Sequence, residues 1–255
     1  MSSEAQRVAV LIDCDNISHQ LCGAIFEETS RHGTLGIKRG YGDWTSPYLA
    51  GWKAELPGHA LQPIQQFAYT VGKNATDSAL IIDAMDLLYS GNVDVFCIVS
   101  SDSDFTRLAM RLRESGKTVY GIGAKKTPVA FQNACDRFTY TEVLRGDTLP
   151  THDEAASTRP AERGLSVPAL RSIITPAVKA TAIDDGWAQL SAVGHHVVNQ
   201  QPSFDSRNYG FAKLGLLVRK QPFLEVKDVP LGNGFNQVWV RLRSGGTPVK
   251  KAKKS

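Results

Sequence analysis

Val99-Ser100-Ser101-Asp102-Ser103-Asp104-Phe105 is the stretch on which the reading of this chain turns. The apolar run from Val93 to Val99 reads as a buried strand, and it ends abruptly in two aspartates one residue apart. Phe105, Leu108, Ala109 and Leu112 then recur at helical spacing. The carboxylates therefore stand where a strand hands over to a helix. In an open α/β sheet that carboxyl edge is where ligands bind. Two aspartates so close repel unless a proton or a cation intervenes. An all-oxygen donor set suits a hard divalent ion such as Mg²⁺. A second reading stays open at this point, in which the aspartate simply caps the helix that begins near Phe105.

Working outward, the same pattern recurs. Val8-Ala9-Val10-Leu11-Ile12 is a short unbroken apolar run of the kind found in central parallel strands, and it ends at Asp13-Cys14-Asp15-Asn16. A helix follows, with Leu21, Ala24 and Ile25 on one face and a stop at Arg31-His32-Gly33. The glycines that a dinucleotide-binding turn needs are absent here. Leu35–Tyr41 and Ala60–Phe67 read as strands, with a short helix over Tyr48–Leu56 between them. Trp44, Tyr48 and Trp52 could stack on bases or could be ordinary packing.

Gly72-Lys73-Asn74-Ala75-Thr76-Asp77 opens another helix, whose apolar stripe is Leu80, Ile81, Ala84, Leu87 and Leu88. Asp77 lies in its first turn, and Asp83 is on a different face, so Asp77 is the favoured site residue. A strand over Lys117–Ile122 precedes Lys125 and Lys126, which could hold a phosphate backbone or lie in a solvated loop. A helix near Pro128–Cys135 and a strand over Phe138–Thr141 complete a β-α alternation. This alternation implies a parallel sheet with helices on both faces. Asp13, Asp77, Asp102 and Asp104 can then converge at one edge as a metal site. No Ser-His-Asp or Cys-His arrangement competes, and His19, His32 and His59 show no helix-spaced metal pattern.

Composition bounds the rest. The chain has 255 residues, a net charge of +4 and 42% hydrophobic residues, enough for one large domain or two smaller ones. Cys14, Cys22, Cys97 and Cys135 form no CxxC pair, so a reduced, cytoplasmic protein is expected rather than a disulfide framework or a zinc site. Met1–Arg7 is polar and does not read as a signal peptide, and no run is long enough to span a bilayer.

Taken together, Val8–Asp13 with Asn16, Lys73 with Asp77, and Ser100–Phe105 resemble the NYN family of PIN-like ribonucleases, over roughly residues 5–145. The resemblance implies a PIN-like Rossmannoid fold and metal-dependent RNA cleavage. It also implies an acidic cluster of Asp13, Asp77, Asp102 and Asp104 holding Mg²⁺ or Mn²⁺, with Asn16 shaping it. The family motif usually has Gly where Ser101 stands, and a small residue is kept. Asp15 is a less diagnostic position, open as a ligand or as an orienting group for Asn16. A rival resemblance is to haloacid-dehalogenase-like phosphatases, where Asp13 would be the nucleophile. Asn16 fits those enzymes badly, and Lys73 and Asp77 would go unexplained.

Residues 146–165, rich in Thr, Pro, Ala and charges without periodicity, read as a linker. Beyond it, Pro168–Lys179, Trp187–Val198 and Ser206–Arg219 carry helical spacing. Phe223–Val229 and Gln237–Leu242 flank a Gly232-Asn233-Gly234 turn suited to a hairpin. Three helices and a hairpin make a winged-helix pattern. Ala188-Gln189-Leu190, Phe204, Tyr209–Leu214 and Phe223–Val226 resemble a LOTUS (OST-HTH) domain, over 166–243. That resemblance implies RNA binding, with single-stranded RNA expected, and leaves protein contacts and a homodimer open. Residues 244–255, with Lys250-Lys251-Ala252-Lys253-Lys254, are expected to be a basic, disordered tail. The two function classes carried forward are a metal-dependent RNA endonuclease and an RNA-binding adaptor without turnover.

Overall fold

The computed structural model describes residues 5–67, 75–145, 170–183, 185–230 and 236–243. The expected linker, the Gly232–Gly234 turn, the basic tail and Lys73 lie outside the described residues. Two compact units make up the rest. One lies within Met1–Ser166 and takes in Gln201–Gly210, and the other lies within Val167–Gln200 and Phe211–Ser255.

The first unit is built on six strands: β1 (Arg7–Asp13), β2 (Thr34–Gly42), β3 (Gln62–Gln65), β4 (Val95–Val99), β5 (Thr118–Gly123) and β6 (Arg137–Tyr140). All neighbouring pairs run parallel, in the order β3-β2-β1-β4-β5-β6. The helices are α1 (Cys22–Ser30), α2 (Ala50–His59), α3 (Ala75–Ser90), α4 (Thr106–Glu114), α5 (Val129–Ala134) and α6 (Thr141–Leu144). The chain winds outward from β1 to β3 on one side, then returns to β4 and winds outward on the other. β1 and β4 therefore flank the point where the strand order reverses.

The unbroken apolar runs follow from burial on both faces of the sheet. Ala9 and Leu11 of β1 and Phe96 and Ile98 of β4 pack with Leu80, Ala84, Leu108, Leu112, Phe131 and Phe138. Val8, Val10 and Ile12, with Val95, Cys97 and Val99, pack with Leu21, Ile25 and Trp52 on the other side. The period of two along each strand deals alternate residues to the two cores. Trp52 is buried and its Nε1 donates to the Ile17 carbonyl, while Trp44 Nε1 donates to that of Ile64. Packing thus accounts for both tryptophans; Tyr48 stays 94% exposed.

The third strand is shorter than the sequence implies, Gln62–Gln65 against Ala60–Phe67, because Ala60 is used as a left-handed cap on α2 with φ of 49°. All four cysteines are free and buried.

The second unit holds α7 (Leu170–Thr181), β7 (Ala188–Gln189), α8 (Leu190–Gln200), α9 (Leu214–Arg219), β8 (Leu224–Pro230) and β9 (Asn236–Leu242). β8 and β9 pair antiparallel, and β7 adds to the other edge of β9. Two expectations are corrected. Ala188 and Gln189 do not open the helix but pair with Val240 and Trp239. Ser206–Arg219 is not one helix: a single turn over Ser206–Tyr209 stops at Gly210, whose φ of +80° a helix cannot accommodate, and α9 starts only at Leu214. Among the described residues, no helix is long and apolar enough to cross a membrane.

Gln201–Gly210, which the sequence groups with the C-terminal helices, belongs to the first unit. The Phe138 amide of β6 donates to the Pro202 carbonyl at 2.8 Å. Arg207 forks onto Glu28 of α1, with Nη1 at 2.9 Å from Oε2 and Nη2 at 2.8 Å from Oε1. It also bonds Asp205, and Arg31 bonds Glu28 at 2.9 Å. The Glu28 and Asp205 side chains are only 4% and 6% exposed, so this is a buried ionic network and not a surface pair. Burial, the largest single influence, would raise both carboxyls, but the hydrogen bonds and charge of Arg207, with Arg137 and, for Glu28, Arg31, together hold each below the usual carboxylate range.

Candidate functional site

The acidic residues meet at the carboxyl edge where the strand order reverses. Asp13 is the last residue of β1 and is fully buried. Asp77 sits in the first turn of α3, almost wholly buried. Asp102 and Asp104 follow β4, half-buried and exposed respectively. One carboxylate oxygen from each of Asp77, Asp102 and Asp104 lies within 4.8 Å of the others. Asp13 is outside that group of three but is felt by it. Burial pushes Asp77 up to about 6, and the negative charge of Asp13 is the next largest cause, ahead of Asp102, Asp104 and Asp15.

The two readings of Asp102 turn out to be compatible. It caps the turn over Ser103–Phe105, its Oδ1 accepting the Asp104 amide at 2.9 Å, and it also belongs to the cluster. Ser100 ties the two strand ends together. Its buried hydroxyl donates to Asp13 Oδ2 at 2.8 Å and accepts the Asp102 amide at 3.1 Å. Asn16 Nδ2 donates to the same Asp13 oxygen at 2.7 Å. The other oxygen, Oδ1, is buried with no hydrogen-bond partner. Burial raises the Asp13 carboxyl above its ordinary range despite the bonds from Asn16 and Ser100. A buried carboxylate oxygen without a donor is costly unless a cation or proton answers it. The donor set fits a hard divalent ion: carboxylates only, one of them oriented by two hydrogen bonds.

Asp15 is exposed and accepts the Thr76 hydroxyl at 2.8 Å, linking the loop after β1 to the start of α3. It does not orient Asn16, which bonds Asp13 instead. Asp83 accepts from Arg39 and Tyr41 and stands outside the group of three. Lys125 and Lys126 follow β5, half-buried and exposed, and the Lys125 amide is held by Glu142 at 3.1 Å. Ser101, where the resemblance anticipates glycine, accepts the Ala124 amide at 2.9 Å and so fixes this loop to the end of β4. At Gly123, a Cβ would lie 2.5 Å from the Ser100 carbonyl oxygen, so glycine is what lets β5 close against the site.

Ser100 is the residue that sequence reasoning left out. It stands in the stretch Ser100–Phe105 that carries the family resemblance, but a serine between an apolar strand and Asp102 reads equally as a cap.

Fold and site together define an α/β protein with an acidic site at the switch point of a parallel sheet. The NYN domain model matches residues 7–144, more than half of the chain, and the chain belongs to the NYN family. An OST-HTH/LOTUS domain follows over residues 167–235. No curated protein matches the chain. Among solved structures, a protein of unknown function from Vibrio parahaemolyticus is similar at 18% identity and a TM-score of 0.47, over 55% of this chain and 95% of its own. An uncharacterised protein from Nitrosomonas europaea is similar at 26% identity and a TM-score of 0.28, over 39% and 92%. A Chromobacterium violaceum protein is similar at 40% identity and a TM-score of 0.27, over 32% and 87%.

Proposed function

We propose that this chain is a cytoplasmic ribonuclease that hydrolyses phosphodiester bonds of single-stranded RNA with Mg²⁺ or Mn²⁺. The observation that carries the reading is Asp13 Oδ1, buried and unpartnered beside a group of three aspartates. The PIN-like fold supports the nuclease class, the LOTUS domain supports RNA as partner, and four free, buried cysteines support a reducing compartment.

In this reading Asp13, Asp77, Asp102 and Asp104 hold one or two ions. An ion held there would supply Lewis acidity toward a phosphoryl oxygen and would lower the pKa of a bound water, the chemistry that phosphodiester hydrolysis needs. Asn16 and Ser100 keep Asp13 turned with one oxygen free. Lys73, Lys125 and Lys126 neutralise the backbone phosphates, and exposed Tyr48 is an aromatic left for a base. The RNA-binding contribution of the second unit falls on Lys227 and Arg241. They lie 4.0 and 4.7 Å from the ring centre of Trp187.

The test is purified protein on labelled single-stranded RNA with Mn²⁺, with and without EDTA. Cleavage that needs Mn²⁺ and disappears in Asp13→Asn and Asp102→Asn is the expected result. RNA bound but left intact under every condition would make the chain an adaptor. A trapped aspartyl-phosphate on Asp13 would make it a phosphatase.

A further inference from the structure

A second group of metal-ligating side chains lies away from the acidic cluster and differs from it in chemistry. Cys22 is the first residue of α1, and Glu55 and His59 are one turn apart on α2. One donor atom from each, a sulfur, a carboxylate oxygen and an imidazole nitrogen, lies within 4.8 Å of the others. We propose that Cys22, Glu55 and His59 form a site for a thiophilic transition ion such as Zn²⁺, joining α1 to α2.

Three features carry it. The first is the donor set. Thiolate with imidazole selects a borderline-soft ion such as zinc, whereas the all-carboxylate cluster suits Mg²⁺ or Mn²⁺. The two sites would therefore sort metals between them. The second is preorganisation. The His59 ring stacks on Phe26 with centroids 5.3 Å apart, and its Nε2 is 3.4 Å from Glu55 Oε2. The end of α2 is fixed by the left-handed cap at Ala60 and by Lys38, whose ammonium donates to the His59 carbonyl. The ligands thus keep their positions without the ion and need little ordering on binding. The third is access. Cys22 is buried, but the Glu55 and His59 side chains are 36% and 30% exposed. An ion enters from that side, and a water completes four-coordination, as in open zinc sites.

Charge balances as well. Binding releases the Cys22 thiol proton to water as the metal–sulfur bond forms. Thiolate and carboxylate then neutralise the divalent ion. Burial, and after it the Glu55 charge, push the Cys22 thiol up to about 11, offset only in part by Lys38, so it is the ion that displaces the proton. The sequence hid this site because it has no CxxC pair, and because Glu55 and His59 become a metal pattern only when Cys22 is brought to them.

The experiment uses the full chain, reduced and stripped of metal, titrated with Co²⁺ as a spectroscopic probe. The expected result is a sulfur-to-cobalt charge-transfer band that saturates at one equivalent and is bleached by Zn²⁺. It should be lost in Cys22→Ser and in His59→Gln, the latter keeping the thiol and changing a half-exposed side chain. It should persist in Asp102→Asn. Absence of the band in the wild type, its survival in either ligand variant, or its loss in Asp102→Asn would overturn the assignment.

Discussion

Arg207→Ala should destabilise the first unit far more than the loss of an ordinary surface charge. In the native protein Arg207 makes two hydrogen bonds to Glu28 and four to Asp205, both buried. Of those to Asp205, one uses the Arg207 backbone amide and survives truncation of the side chain. Removing one partner of a buried ion pair costs about 3–5 kcal/mol, because the other charge is stranded. Glu28 keeps Arg31 at 2.9 Å, but that arginine is 53% exposed and screened by water. Asp205 keeps Arg137 only at 3.6 Å. The expected loss is therefore near the lower end, about 3 kcal/mol at pH 7. Hydrogen exchange of β1 and β4 amides reads this unit separately from the other, and that loss speeds exchange about 100-fold.

The pH dependence adds a second handle. Both carboxyls are held low in the native state, so their contribution is present at neutral pH and is lost as pH falls through their native values. Without the Arg207 side chain, burial is opposed only by the weaker influence of Arg31 and Arg137 and by one backbone amide, and both carboxyls take up protons sooner. The gap between wild type and variant should thus be widest at neutral pH and close in acid. A loss below about 1 kcal/mol, the range of exposed pairs, would refute the reasoning. So would a gap that does not change with pH.

Asp77→Asn should raise the melting temperature of metal-free protein at pH 8 but not at pH 4. Asp77 is raised from 3.8 to about 6, so its ionised form burdens the fold above that pH and the burden fades below it, and an advantage that persists in acid would contradict this. Ser100→Ala should cost about 1–3 kcal/mol in urea unfolding, because it strips a partner from both Asp13 and the Asp102 amide; a neutral change would show that water replaces the hydroxyl. Lys227→Ala combined with Arg241→Ala should weaken binding to single-stranded RNA. It should also flatten the dependence of log Kd on log salt by up to ~1.4, and an unchanged slope would move the RNA contacts elsewhere.

Most of the first unit was legible because its strands are buried on both faces. That burial produces the unbroken runs Val8–Ile12 and Val95–Val99, and a carboxylate follows each, Asp13 directly and Asp102 after two serines. Asp13, Asp77, Asp102 and Asp104 could be named because they punctuate apolar segments. Side chains that act between segments carry no such mark. Ser100 looks like any cap, and Glu28 and Arg207 are 179 residues apart with no local sign of burial. Glu28 even falls on a helix where a solvated glutamate is the ordinary expectation. The two-residue β7 was missed for a related reason: Ala188 and Gln189 have no strand character of their own and are strands only because β9 lies beside them.

The discontinuity of the first unit has a consequence for its biosynthesis. Glu28 leaves the ribosome 179 residues before the arginine that neutralises it. At about 5–20 residues per second, that is a delay of roughly 9–36 s. During it the nascent parallel sheet holds an incompletely compensated carboxylate. The last step in assembling this unit is therefore tied to translation of the segment between α8 and α9, and a transcript cut short after the sheet yields a chain that is complete in its strands yet lacks its closing charge.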